Sequence, residues 1–206
     1  RVAGCAMSRL RRLARFGAAM AALALVALPA EASGTDRRNS LFGFGGVLLS
    51  KDMLHSIVPF AGGPDGNGLA GLAYQRQFAD LFWGLRLGGE VGIAGRFGDS
   101  TSAEFWGGVT LAHSGLPVGK LVFSPGLVTG LSVVTAPIGQ EIVNASRTGG
   151  DPRLLFYLGP EIAVSLASRP NVEFVYRLHH RSGGWRTLGD MYGGSNANTF
   201  GIRVHF

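Results

Sequence analysis

The chain has 206 residues, a formal net charge of +6 and one cysteine, Cys5. Five of its 19 Lys and Arg and one of its 13 Asp and Glu fall within residues 1–32, leaving 14 against 12 in the remainder. A balance of +2 gives no basis for nucleic-acid binding, and a remainder without cysteine excludes a disulfide, a thiolate metal site and a cysteine nucleophile.

From Met7 the sequence reads MSRLRRLARFGAAMAALALVALPAEASG. Arg9, Arg11, Arg12 and Arg15 form a basic n-region, Gly17 to Leu28 an apolar stretch too short to span a bilayer, and Ala30-Glu31-Ala32 a small-x-small site. These are the parts of a secretory signal peptide, with cleavage expected after Ala32 and residues 1–6 upstream of a start at Met7. The expected mature domain is 33–206.

That domain is rich in glycine and shows no sustained helical period. Apolar residues instead alternate with small or polar ones over runs of about ten, the length of tilted membrane-spanning strands. In FWGLRLGGEVGIAG, Trp83, Leu85, Leu87, Val91 and Ile93 share one parity, while Gly84, Arg86, Gly88 and Glu90 take the other. A soluble sandwich also alternates, with its charged side in water. In a small closed barrel the polar side faces the lumen and the apolar side faces lipid. Eight strands are expected, near 40–49, 67–77, 81–95, 102–113, 121–134, 154–167, 171–182 and 196–206.

The gaps after the first, fifth and seventh strands are long, and those after the second, fourth and sixth are short. This asymmetry fits the long outer loops and short periplasmic turns of outer-membrane barrels, although GRFGDST is short for an outer loop. Phe200, Ile202, Val204 and Phe206 alternate up to a final phenylalanine, which resembles the C-terminal targeting signature of such barrels. The fold expected is therefore all-β, an eight-stranded antiparallel transmembrane barrel. Arg86, Glu90, Glu161, Glu173, Arg177 and Arg203 fall on lumen parity and read as an interior charge network.

The seventh strand ends NVEFVYRLHHRSGG. Val172, Phe174, Tyr176 and Leu178 share the lipid parity, which places His180 and Ser182 on the outer wall near the outer leaflet boundary. Arg177, His179 and Arg181 point the other way, so the adjacent histidines do not form a metal pair. On the descending eighth strand, Asn196 and Asn198 share the lipid parity and lie close to His180 and Ser182. An exposed serine becomes a nucleophile when a base within reach takes its proton. The substrate accessible to such a pair is a lipid.

H-x-S on the penultimate strand of a signal-bearing barrel resembles the PagL-type lipid A 3-O-deacylases. The resemblance covers the mature chain as architecture and about Phe174 to Phe206 as motif. It implies Ser182 as nucleophile and His180 as general base of an esterase acting on lipopolysaccharide in the bacterial outer membrane, with no cofactor or metal. The family places an asparagine after the serine, where this chain has Gly183. The family also orients the histidine with a glutamate from the last strand, where this chain offers Asn196. Asp190 in the preceding loop is the alternative third member, and the oxyanion donor is the Ser182 or Gly183 amide or the Asn198 side chain. The competing reading is a non-enzymatic small barrel with a structural or hydrophobic-ligand-binding role.

Overall fold

A computed structural model describes residues 37–59 and 61–206; the leader expected over 1–32 lies outside the described residues. Nine strands run β1 (Asn39–Leu49), β2 (Pro64–Asp80), β3 (Leu85–Phe97), β4 (Ser102–His113), β5 (Leu116–Val118), β6 (Leu121–Val134), β7 (Leu154–Leu166), β8 (Arg169–Ser182) and β9 (Ser195–His205). Two short helices, α1 (Met53–Ser56) and α2 (Gln140–Thr148), lie in the first and third outer loops. Eight long strands pair antiparallel in the order β4-β3-β2-β1-β9-β8-β7-β6, and a β4–β6 ladder from Glu104↔Val134 to Ala112↔Gly126 closes the ring. Closure leaves the long strands no free edge in hydrocarbon, where an unpaired backbone group costs several kcal/mol (order-of-magnitude).

The strands differ from expectation at the periplasmic turns. β5 is a three-residue strand that folds back on β6 within the fourth connection. β3 begins at Leu85 rather than 81, because Leu81 N–H donates to the Leu85 carbonyl and closes a turn over Phe82–Gly84. Trp83 sits in that turn at φ 58, largely exposed and edge-on to Phe82. Alternation continues through the turn by coincidence of parity; an aromatic pair at a barrel end suits a membrane interface.

Side chains fill the interior. The Arg177 guanidinium spans it, donating from Nη1 and Nη2 to Glu90 at 2.7 and 2.8 Å and from Nε to Glu161 at 2.8 Å. Gln75 and Trp106 also donate to Glu90, at 2.6 and 2.7 Å. Arg203 joins Glu161 to Glu173, and the Phe42 ring lies against both guanidinium groups. Of the six charges expected inside, Arg86 instead reaches Asp80 at 3.5 Å and stays partly exposed. On the outer wall, Val91, Ile93, Phe105, Val109, Leu131 and Ile202 are exposed, as a lipid-facing band requires.

Glycine makes room for this filling at one decisive place. A Cβ on Gly92 would lie 2.1–2.6 Å from the Trp106 indole, whereas one on Gly95 would meet nothing within 4 Å. Gly92→Val is expected to destabilise the barrel by about 1–3 kcal/mol through overpacking, while Gly95→Ala stays near neutral. Urea unfolding midpoints in detergent micelles check both.

Candidate functional site

β8 carries the sequence RLHHRS out of the barrel wall, and its neighbours divide the two histidines as period-two geometry requires. His179 is buried in the lumen, where Nε2 donates to Glu104 at 2.8 Å and the ring packs against Phe44, Trp106 and Tyr157. His180 faces outward, opposite Leu158 on β7 and Asn196 on β9. Ser182 follows on the same face, opposite Phe156. Cβ atoms directly opposed across antiparallel strands lie about 4.5–5.5 Å apart, which brings His180 and Asn196 within hydrogen-bond reach.

They make that bond. His180 Nδ1 and Asn196 Oδ1 are 2.6 Å apart, and Asn196 Nδ2 donates to the Lys51 carbonyl at 2.8 Å. Because the amide nitrogen is committed to Lys51, the oxygen is the atom turned to the imidazole. An amide oxygen only accepts, so Nδ1 carries the proton and Nε2 of the neutral ring keeps its lone pair. This is the tautomer a general base for a hydroxyl requires.

His180, Ser182 and Asn196 line one cavity of about 860 Å³ at the outer end of the wall. Phe156, Leu158 and Met53 give it apolar surface, while Lys51, Gln140 and Arg147 bring polar groups. The first, third and fourth outer loops meet around it. Gln140 Nε2 donates to the Ser50 carbonyl at 2.8 Å, and Asn144 Nδ2 to the Gly194 carbonyl at 3.1 Å.

The other candidate residues are placed apart from this trio. Asp190, in the fourth loop at φ 54, is exposed and forms a two-point ion pair with Arg186. Hydrogen bonding to that guanidinium holds its carboxyl below the usual aspartate range. Asp190 does not line the cavity, and Asn196 occupies the position beside the imidazole. Asn198 is fully buried on the outer wall, where Nδ2 donates to the Ser56 carbonyl at 2.8 Å and lies 2.9 Å from the Tyr176 hydroxyl. Gly183 packs so closely under the fourth loop that a Cβ there would lie 2.0 Å from the Met191 carbonyl oxygen. An asparagine at this position, as in the resembled family, would not fit that loop.

Two contributors gave no signal in the sequence. One is the Lys51 carbonyl, a backbone group 145 residues away that fixes the Asn196 amide. The other is Glu141 of α2, which is buried in the mouth of the barrel. It binds Arg181, Arg96 at 3.0 Å and Ser195 at 2.9 Å, and so anchors the third loop over the lumen. A carboxylate in a loop carries no strand parity, and nothing local marks it as buried.

No protein-family model matches the chain, and no curated protein does. Among solved structures it is similar to the outer membrane enzyme PagL, with a TM-score of 0.55 and 11% identity over 80% of this chain and 98% of that one. It is also similar to Neisserial surface protein A, with a TM-score of 0.50 and 14% identity over 82% of this chain and 97% of that one. At these identities the likeness is one of fold, and an enzyme and a surface protein share it. The chain is an eight-stranded antiparallel β-barrel of the bacterial outer-membrane type.

Proposed function

We propose that this barrel is a serine esterase of the bacterial outer membrane that removes an ester-linked acyl chain from lipid A. The observation that carries the reading is the His180–Asn196 hydrogen bond on the lipid-facing wall, beside Ser182 in a shared cavity. The half-buried imidazole, held by a buried amide on the lipid-facing wall, takes no part in the charge network that fills the lumen. It is well suited to general-base work on a membrane-borne ester.

In the proposed reaction His180 Nε2 takes the Ser182 hydroxyl proton as Oγ attacks the ester carbonyl carbon. The tetrahedral intermediate collapses to acyl-Ser182, and the imidazolium returns the proton to the departing sugar oxygen. Water, deprotonated by His180, then attacks the acyl-enzyme and releases the fatty acid. Asn196 holds the ring in its reactive tautomer but stabilises the imidazolium less than a carboxylate would. The oxyanion donor is assigned to the backbone at Ser182–Gly183, because the Asn198 amide is committed to Ser56 and Tyr176. The apolar lining takes the acyl chain, and Lys51 and Arg147 face the phosphorylated sugar. The same reading takes residues 1–32 as the cleaved export signal.

Mass spectrometry of lipid A from cells producing the wild type or Ser182→Ala tests this. The expected result is loss of one acyl chain with the wild type alone. Identical spectra would overturn the esterase and favour a non-enzymatic barrel.

A further inference from the structure

The first outer loop does not rise away from the barrel. Leu49 and Leu178 both stand on the outer, lipid-facing parity, yet they are 1% and 0% exposed, and Asn198 beside Leu178 is 0% exposed. The Tyr176 hydroxyl donates to the Ile57 carbonyl at 3.0 Å, and Asn198 Nδ2 donates to the Ser56 carbonyl at 2.8 Å. Segment 51–58 therefore folds back over the outside of β8 and β9. Asn198 is the fourth residue of β9, so the fastening point lies roughly 10 Å along the strand from its outer end, at about 3.3 Å per residue.

The chemistry of the segment is divided. Leu54, Ile57 and Val58 are 80%, 47% and 59% exposed, turned away from the barrel they lie on. The carbonyls at the end of α1 have no helical partner, and in water they would need none from the protein. Here they are met by Tyr176 and Asn198, which are polar groups on a wall otherwise built for hydrocarbon. Donors supplied to helix-end carbonyls together with apolar side chains turned outward are the requirements of a segment immersed in lipid. Asp52 caps the helix and binds His55, so these two side chains are paired with each other while remaining 67% and 70% exposed, and Lys51, before the cap, is exposed and lines the His180 cavity.

We infer that residues 53–58 form a strap seated in the acyl layer of the membrane, fastened to the barrel by Tyr176 and Asn198, with Lys51 before it held by Asn196 at the headgroup level. Its partner is the hydrocarbon of the outer leaflet, met by Leu54, Ile57 and Val58. Asn198 belongs to this fastening. The strap stands on the loop contacts alone and does not depend on Ser182 hydrolysing an ester.

The test uses the chain with Cys5→Ser, which removes its one cysteine. Single cysteines at Leu54 and Val58 are labelled with an environment-sensitive fluorophore, with Val91 as a lipid-facing control and Ser100, exposed in the second outer loop, as a water-facing one. The labelled barrels are reconstituted in phospholipid vesicles with plain or brominated acyl chains. Probes at 54 and 58 are expected to match Val91, quenched severalfold by brominated lipid and shielded from aqueous iodide. Behaviour like Ser100 would overturn the strap. Adding Asn198→Leu with Tyr176→Phe is expected to shift both probes toward iodide while heat-modifiable gel migration still reports a folded barrel. Unchanged quenching in that variant would overturn the fastening. If the double variant does not fold, Tyr176→Phe alone carries the same expectation at residue 58. No step requires hydrolysis, so failure here is separable from failure of the esterase.

Discussion

His180→Ala is expected to lower the rate of fatty-acid release from lipid A by on the order of 10^4-fold, about as much as Ser182→Ala, and the double variant by no more than either. Nucleophile and base act as one unit, so removing one leaves the other without work. The residual rate reflects binding and oxyanion stabilisation. Release of free fatty acid by the purified barrel in mixed micelles measures all three variants against wild type. Losses that multiply in the double variant would show that His180 and Ser182 act separately, and the proposed proton transfer would fall. Barrel integrity should be unaffected, since both side chains point away from the packed lumen and neither is used in its charge network.

Arg177→Met is expected to have the largest effect on stability, a loss of about 3–5 kcal/mol. The guanidinium is 1% exposed and serves two carboxylates at once, Glu90 and Glu161, from β3 and β7. Among the described residues, truncation leaves Glu90 with Gln75 and Trp106, and Glu161 with Arg203. The penalty comes from buried charge left unpaired, more than from the net strength of the pairs. Adding Glu90→Gln and Glu161→Gln should therefore recover part of the loss. Urea midpoints in detergent report both steps. A single variant as stable as wild type would show that water reaches this cluster.

How much of this was legible in the sequence depends on the range of the interaction. Period-two alternation is local, so it placed Glu90, Glu161, Glu173, Arg177 and Arg203 inward, and His180 and Ser182 outward, before any pairing was known. It also brought Asn196 to His180, because adjacent strands of a barrel oppose residues of the same face. Alternation does not mark where a strand stops, which is why Trp83 read as strand and lies in a turn. Loop geometry was illegible for a different reason. Glu141, the Lys51 carbonyl and the bond from Asn198 to the Ser56 carbonyl rest on contacts between segments far apart in the chain. The asparagine pair shows the limit well. Asn196 and Asn198 have the same parity and spacing, yet one orients an imidazole and the other fastens a loop.

The outward placement of the His180 cavity also decides what concentration means for this protein. A lumen packed with Arg177, Trp106 and Phe42 gives no route through the barrel axis, so the lipid substrate of the proposed esterase would arrive sideways, by diffusion within one leaflet. The quantity that governs occupancy is then the mole fraction of the lipid in that leaflet, not its amount per volume of solution. Diluting a fixed number of substrate molecules with inert detergent should slow turnover even when the total volume is unchanged. Neighbours that stiffen or thin the leaflet act on the same step, which makes the composition of the membrane part of the kinetics.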